Sequence, residues 1–331
     1  MGNNTAGLKR GFHYNPDNDS LEIYFDGDKV AQYGKLIANT YYVNNITGSS
    51  TGDGLTWNSA VSEVSEAIAL VVAYQATMDA GNEYVRNNII IQGTSTAYTA
   101  LTSLAGYTNY IGIGADPTGN GAGIARFDGA GAADACDTSS TTVRGFDLYN
   151  LQFTQSASGA SYGLDIAGAA YRSKIEHCGF TNNTTAGIHI KSGGSLIIDD
   201  CHTDQDQFNS TYGMLIGSTS AATGTFNSCK ITNSFFHGTT AAVLLYNNAC
   251  SNTYFRNCVF DGGTHGFQDL GNDANGSAFY VHLVDCYGFG THSTTVNTSG
   301  IECTNNYTKK AIGCWENAGG AAFNYPDPPD A

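Results

Sequence analysis

The sequence predicts an all-β fold, a parallel β-helix with coils of about 28 residues, and three observations lead to it. The chain has 331 residues, of which 41 are glycine and only 13% are charged, as expected for many short strands joined by turns. A short segment that contains a cysteine recurs along the second half of the chain. A second segment, with alternating apolar residues, lies between the copies of the first.

The cysteine segment is the clearest repeat. Its copies read IEHCGF, IDDCHT, FNSCKI, FRNCVF, LVDCYG and AIGCWE, and LYNLQF fits one repeat earlier with leucine in the cysteine position. Successive cysteines are 23 to 29 residues apart, which is too short for a propeller blade, and the repeats lack helical periodicity. Each repeat is therefore predicted to be one coil of a solenoid. The cysteines are Cys178, Cys201, Cys229, Cys258, Cys286 and Cys314.

The residue before each cysteine is predicted to form a tight bend between two strands. Asn150, Asn257 and Asp285 hold this position in three copies, and such short polar residues accept the left-handed backbone conformation. The cysteines themselves are predicted to be reduced, buried packing residues, with disulfides or metal ligation as the alternatives. The sequence contains no CxxC pair and no His-rich cluster with zinc spacing.

Four regions are predicted along the chain. The first is an arm with a β-hairpin, because SLEIYF and DKVAQY flank Asp26-Gly27, a strong hairpin signal. The second holds a strand and a capping helix, with Asn58 or Ser59 as its N-cap and apolar residues at helical spacing. The third is the parallel β-helix and the fourth a proline-rich tail. The regions are residues 1–38, 39–86, 87–325 and 326–331.

Two stretches resemble a known superfamily. The segment YYV…TGDGLTW…EAI…IIIQG over residues 41–93, and the repeated I-x-N-C-x-F…G-I-x-I coils, are similar to the pectin-lyase-like, right-handed parallel β-helix superfamily. The resemblance covers residues 41–325 and implies the fold more than an activity, because the superfamily includes lyases, hydrolases, epimerases, adhesins and phage spikes. The arm is similar to the leading segments of phage structural proteins. The arginine base and calcium aspartates of the pectate lyase branch have no matching motif here.

The charge balance argues against nucleic acid as a partner. The chain has 14 basic and 29 acidic residues, a net charge of −15, whereas binding to a phosphate backbone needs clustered Lys and Arg. No membrane segment is predicted, since the longest apolar helical stretch, AIALVVAY at residues 67–74, is too short to cross a bilayer. No cofactor is predicted either, apart from the calcium alternative below.

Two groups of residues are candidate catalytic sites. Asp165 and His189 fall in one outward column of the second repeated segment, where they could act as an acid/base pair. Asp199, Asp200 and Asp204 form the densest acidic patch. This patch could supply the two carboxylates of a glycoside hydrolase, bind calcium, or serve only the bend.

The same outward column also predicts a protein contact. Leu215 and Leu244 continue it as apolar residues, which is more typical of an interface between proteins than of a sugar cleft. In the arm, Tyr24 and Phe25 are the predicted contact residues.

Two functions follow as hypotheses. The first is a non-catalytic phage virion protein, a homotrimer on the virion surface, assembled in the host cytoplasm and attached to capsid or tail proteins through the arm. The alternative is a polysaccharide-degrading β-helix enzyme, a tailspike depolymerase, lyase or glycoside hydrolase, whose substrate would be a host-surface polysaccharide.

Overall fold

An antiparallel sheet of three strands comes first in the chain. In the computed structural model its strands are β1 (Arg10–Asn15), β2 (Ser20–Phe25) and β3 (Asp28–Lys35), in the order β1-β2-β3. The predicted hairpin is the β2–β3 pair, and the pairing of β1 with β2 extends it. The structure describes residues 10–15, 20–25, 28–35, 39–78, 85–131, 133–138, 142–156, 159, 161–203, 210–217, 226–246, 250–270, 281–289, 301–303, 310–316 and 322–325.

A strand and a helix begin the solenoid. Strand β4 (Thr40–Val43) is followed by a 3₁₀ turn at Trp57–Ser59 and by helix α1 (Val64–Ala76). The prediction that Asn58 or Ser59 caps this helix was wrong, because both lie in the 3₁₀ turn. Glu63 is the N-cap instead, and the Glu66 carboxylate accepts a hydrogen bond of 3.0 Å from its backbone N–H. The buried face of α1 consists of Val64, Ala67, Ile68 and Val71.

Short strands connect this start to the repeating part of the chain. Strands β4, β5 and β7 pair in parallel, and so do β6 and β8. The additional strands are β5 (Asn87–Gln92), β6 (Tyr98–Thr99), β7 (Thr108–Ile113), β8 (Arg126–Asp128) and β9 (Cys136–Asp137).

The body of the solenoid repeats four strands per coil, and each strand pairs in parallel with its equivalent in the next coil. The fold has about six turns of about 27 residues each, as predicted. The strands, coil by coil, are β10 (Thr142–Arg144), β11 (Asp147–Tyr149), β12 (Gln152–Thr154) and β13 (Tyr162–Ile166); β14 (Ala169–Tyr171), β15 (Lys174–Glu176), β16 (Gly179–Thr181) and β17 (Ala186–Ile190); β18 (Gly193–Gly194), β19 (Ile197–Asp199), β20 (His202–Thr203) and β21 (Tyr212–Ile216); β22 (Phe226–Asn227), β23 (Lys230–Thr232), β24 (Phe235–Gly238) and β25 (Ala241–Tyr246); β26 (Cys250–Ser251), β27 (Thr253–Arg256), β28 (Val259–Gly262) and β29 (His265–Leu270).

The last strands complete two of the three sheets of the solenoid. They are β30 (Val281–Val284), β31 (Tyr287–Phe289), β32 (Ile301–Cys303), β33 (Lys310–Glu316) and β34 (Ala322–Tyr325), of which β34 pairs antiparallel with β33. The five-stranded sheet holds β10, β14, β18, β22 and β26, and the seven-stranded sheet holds β9, β13, β17, β21, β25, β29 and β32. The large sheet, with 19 strands, holds the other strands of the solenoid.

The core fills the lumen with stacked apolar side chains. Phe127, Phe153 and Phe180 occupy the same position in consecutive coils, with ring centroids 5.6 and 5.3 Å apart. All three rings are fully buried. Their offset stacking adds to the free energy of burial, because aromatic pairs at this separation attract one another.

The cysteine column is real, but Cys229 does not belong to it. Lys230 pairs with Ile197, and this register gives the cysteine position of that coil to Ser234, whose hydroxyl accepts a hydrogen bond of 3.1 Å from the Cys201 N–H. The coils before and after Ser234 have unequal lengths, so a constant period misplaces Cys229, which is buried at the opposite bend. The structure places Cys178, Cys201, Cys258, Cys286 and Cys314 in the column, all buried and none of them in a disulfide among the described residues.

The bend residues adopt the left-handed conformation. Asn150, Asn257 and Asp285 have φ values of 54°, 53° and 52°. In the coil that contains Ser234, Asn233 holds this bend position. The Asn233 side chain accepts a hydrogen bond of 2.9 Å from the Asn257 side chain. Side chains of the bend therefore bridge consecutive coils.

Candidate functional site

A groove runs along the solenoid where the five-stranded sheet turns into the large sheet. The backbone at this second bend is also left-handed, with φ between 48° and 67°. Bend residues of consecutive coils stack above one another, so their outward side chains line a continuous surface. The bend residues are Tyr107, Gly145, Arg172, Ser195, Ser228 and Asn252.

The groove consists of two cavities that meet at Ser228. The first has a volume of about 410 Å³ and the second of about 490 Å³. We call both together the lateral groove. Its basic and aromatic lining consists of Tyr107, Arg144, Tyr171 and Arg172 in the first cavity and Lys230, Tyr254 and Arg256 in the second.

The lateral groove is positively charged in an otherwise acidic protein. Arg144, Arg172, Lys230 and Arg256 are all exposed, and the described lining contains no aspartate or glutamate. Across the whole chain, acidic residues outnumber basic ones by 29 to 14. The groove therefore concentrates positive potential where the average surface is negative, which favours an anionic ligand.

Glu176 and Asp199 lie in the same column of the large sheet as Arg256, in earlier coils, and both already have partners. Glu176 lies 2.5 Å from the Lys174 ammonium group. The Asp199 carboxylate accepts hydrogen bonds from the Thr232 hydroxyl at 2.5 Å and from the Asn233 side chain at 2.9 Å. These contacts hold both carboxylates on the large sheet, beside the groove rather than in its lining.

Aromatic side chains accompany the basic ones. The Arg144 guanidinium lies 5.5 Å from the centre of the Tyr171 ring, within the range of a cation–π contact. Tyr254 is 49% exposed and stacks on His282, with centroids 4.7 Å apart and the planes 11° from parallel. Such exposed rings offer flat apolar faces, on which a sugar ring can pack.

Two glycines contribute bare backbone to the lining of the first cavity. Gly193 and Gly194 form the whole of β18 and are buried. A Cβ atom on Gly193 would lie 2.5 Å from the Ala170 carbonyl oxygen, which real Cβ atoms do not tolerate. This coil therefore adds no side chain to the first cavity at these two positions.

The lateral groove was not predicted from the sequence. Arg144, Arg172 and Arg256 are 28 and 84 residues apart along the chain, so nothing in their local sequence places them together. The signal that could have indicated the groove is the register of the second bend, in which Arg172 and Ser228 occupy the same column. Unequal coil lengths hide this register in the sequence.

The structure brings Asp165 and His189 together in adjacent coils. His189 Nδ1 lies 2.7 Å from the Asp165 carboxylate, and Nε2 lies 2.9 Å from the Gly217 carbonyl oxygen. Tyr162 stacks on the imidazole at 4.6 Å, and the side chains of the pair are 13% and 11% exposed. Because both ring nitrogens face acceptors and the pair is nearly enclosed, it presents no free base to a substrate in this conformation.

A half-buried carboxyl lies next to this pair. The Asp134 carboxylate accepts a hydrogen bond of 2.7 Å from the Tyr162 N–H. Burial raises the pKa of Asp134 above its ordinary value, and the nearby carboxylates of Asp165 and Asp137 add to the rise.

The predicted acidic patch is divided between two roles. Asp199 accepts the hydrogen bonds from Thr232 and Asn233 of the next coil. Asp200 has a φ of 51° in the bend, and its carboxylate lies 2.8 Å from His177 Nδ1 and 3.8 Å from His202 Nε2. Asp204 lies outside the described residues. Within the described part of the chain, no group of three His, Cys, Asp or Glu residues could hold a metal ion, so calcium binding stays a prediction.

The predicted leucine contact surface was wrong. Leu215 and Leu244 are each only 3% exposed, and they form a separate apolar cluster with Ala186 and Ala241. An outward position in a strand is therefore not an exposed one here. Tyr24 and Phe25 lie on β2, whose side chains the structure does not describe, so their role as contact residues stays a prediction.

Comparison with known proteins bears on the fold. No protein-family model and no curated protein matches the sequence. Among solved structures, a pectin methylesterase from Aspergillus niger is 12% identical, with a TM-score of 0.50 over 86% of this chain and 87% of that one. Pectin methylesterase PemA from Erwinia chrysanthemi is also 12% identical, with a TM-score of 0.47 over 87% and 91%.

No helix in the described part of the chain is both long and apolar enough to span a membrane.

At sequence identities this low, the structural similarity shows the fold alone. The protein is a right-handed parallel β-helix, a fold that it shares with the Aspergillus niger pectin methylesterase.

Proposed function

We propose that the protein binds an acidic polysaccharide in the lateral groove. One observation carries this proposal: the described lining has four basic residues, three tyrosines and no carboxylate, in a chain of net charge −15. Guanidinium groups pair with carboxylate or sulfate groups, and tyrosine rings pack against sugar faces. The groove carries the argument, because the solved structures support only the fold.

A single-stranded nucleic acid is the rival ligand. Basic grooves with aromatic platforms also bind such strands. The charge balance favours the polysaccharide: the chain has 14 basic and 29 acidic residues, whereas a phosphate backbone is usually bound by a broad surface of clustered Lys and Arg.

Polysaccharide degradation is the enzymatic form of this proposal. Hydrolysis with two carboxylates needs acids within the binding cleft, and the described lining of the lateral groove has none. The pair of Asp165 and His189 is enclosed and belongs to the seven-stranded sheet. We therefore propose binding as the function and keep cleavage as an additional measurement.

The phage virion role and the homotrimer remain predictions from the sequence. The leucines that supported a protein interface, Leu215 and Leu244, are buried. A virion protein could also bind a host polysaccharide in the lateral groove, so the two hypotheses are compatible.

Binding assays with purified polysaccharides test the proposal. Polygalacturonate, alginate and hyaluronan serve as acidic ligands, dextran as the neutral one and an oligothymidylate as the nucleic acid. We expect at least one acidic polysaccharide to bind at low salt, to weaken as salt rises, and to lose about tenfold or more with Arg144→Ala plus Arg256→Ala.

Lys191→Ala is the matched control, because it also removes a positive charge but does not line the groove. It should leave the affinity unchanged. Equal binding of dextran, tighter binding of the oligothymidylate, or an affinity that the double arginine variant retains would each reject the proposal. Release of reducing ends or unsaturated ends during the same incubations would show cleavage.

A further inference from the structure

The basic residues of the lateral groove form two pairs rather than an even row. Arg144 ends β10, and Arg172 follows β14, so the first pair occupies two consecutive coils. Lys230 on β23 and Arg256 on β27 form the second pair, also in consecutive coils.

One coil separates the pairs, and its residues in the groove lining are uncharged. The five-stranded sheet runs β14-β18-β22, so the coil of β18 lies between Arg172 and Lys230. Its part of the groove is Gly193, Gly194 and Ser195, and the neighbouring Ile197 is 40% exposed. A bound chain therefore crosses a bare and uncharged floor between two charged positions.

The coil spacing fixes the distance between the pairs. Parallel strands lie about 4.8 Å apart, and the centres of the two pairs are three coils apart, so the charges are separated by about 14 Å. A single acidic sugar can contact one pair but cannot reach the other.

We infer that the lateral groove selects long acidic polysaccharides over short fragments, because only a long chain engages both basic pairs at once. The chain lies along the solenoid axis, with anionic groups at Arg144 and Arg172, an unpaired stretch over Gly193 and Gly194, and further anionic groups at Lys230 and Arg256. This inference rests on the proposed function and adds the ligand's minimum length and direction to it.

A chain that reaches both basic pairs binds more tightly because of effective concentration. Once one pair holds the chain, the second pair meets its anionic group as an intramolecular partner, which strengthens binding by about 100-fold without a new kind of contact. Each exposed pair alone is weak, since exposed ion pairs are screened by water and salt.

Oligogalacturonates of two to eight units, with polygalacturonate, test the inference by titration calorimetry at low salt. Wild-type protein should show a step in affinity of about 100-fold between the shortest and longest fragments. Arg144→Ala with Arg172→Ala, and separately Lys230→Ala with Arg256→Ala, should each abolish the step, because only one basic pair is left to hold a fragment of any length. Lys191→Ala should keep the step.

The outcomes separate this inference from the proposed function. If polygalacturonate binds in a salt-dependent manner but the affinity rises smoothly with length in wild type and both double variants, only the inference fails. A step that survives in either double variant also overturns it. If none of the acidic polysaccharides in the panel binds, the proposed function fails, and the inference fails with it.

Discussion

At the residue scale, the cysteine column shows which side chains fit in the lumen directly after the first bend. Cys258 is 1% exposed, and its thiol lies 3.7 Å from the Ile231 carbonyl oxygen of the preceding coil. Ser234 fills the same position one coil earlier and donates its own hydrogen bond to the Thr232 carbonyl oxygen. The position therefore accepts cysteine, serine and, at Leu151, leucine, so it does not depend on cysteine chemistry.

We expect Cys258→Asp to destabilise the protein by about 3 kcal/mol or more, because it buries a carboxyl group without a charged partner. Cys258→Ser is the matched control and should cost about 1 kcal/mol, since Ser234 shows that a hydroxyl can be satisfied at this position. Urea unfolding followed by circular dichroism measures both. Equal losses in the two variants would contradict a buried column.

A pH effect is expected at His202. Burial lowers the pKa of His202 below its ordinary value of 6.5, and the carboxylates of Asp200 and Asp116 offset this only in part. The folded state therefore binds this proton more weakly than the unfolded state, so stability is unaffected above pH 6.5 and falls as the pH drops from 6.5 through the lowered pKa. His202→Phe, which keeps a ring beside Phe235, should lose less stability between pH 7 and pH 5 in thermal unfolding.

The unfolding midpoints of wild type and variant must be compared at both pH values, since other groups titrate in the same range. Parallel pH curves for the two proteins would remove His202 as the cause.

At the element scale, the bends decide the fold more than the strands do. Many strands of the solenoid are only two to four residues long, so their alignment depends on the left-handed residues between them. Residue type made one bend predictable, because Asn and Asp accept this conformation at little cost. The other bend was missed, since Tyr107 and Arg172 adopt positive φ without any such preference.

Substitutions at Asn257 test the importance of the bend. Asn257→Ala should cost about 1 to 2 kcal/mol, because alanine is strained at a φ of 53° and the hydrogen bond to Asn233 is lost. Asn257→Gly removes the same hydrogen bond but accepts the backbone conformation, so it should cost less. If glycine costs as much as alanine, the hydrogen bond rather than the backbone stabilises the bend.

The sequence predicted the class of fold but not the exact coil boundaries. Alternating apolar residues and recurring cysteines identified the solenoid, because a packed lumen imposes the same residue types on every coil. Cys229 shows the limit of this reasoning: it has the right neighbours in sequence, yet a longer coil places Ser234 in the column. Local pattern cannot reveal such an insertion, since only pairing between coils sets the register.

At the scale of the whole molecule, charge and burial distinguish two faces of the solenoid. The outward column of the seven-stranded sheet is covered, with Leu215 at 3% exposure, whereas the lateral groove is open and basic. The candidate site could not be predicted, because its residues lie far apart in the sequence and are ordinary in their local sequence.

Oligomeric state remains the test of the predicted homotrimer. With Leu215 and Leu244 buried, the three-stranded sheet of the arm is the remaining predicted contact. We expect light scattering to report a trimer for the full chain and a monomer after deletion of residues 1–38. A trimer that survives the deletion would place the contact on the solenoid, and a monomeric full chain would reject the trimer.

The repetition of four strands per coil has a consequence for how this protein can change over time. Each coil contacts only its neighbours, so a whole coil can be duplicated or lost while the remaining pairings are kept. Such an event next to β18 would move the two basic pairs apart or together by about 4.8 Å, the spacing of one coil. Relatives with one more or one fewer coil would then prefer a different ligand length with the same side chains, and unequal recombination within the gene would be enough to produce them.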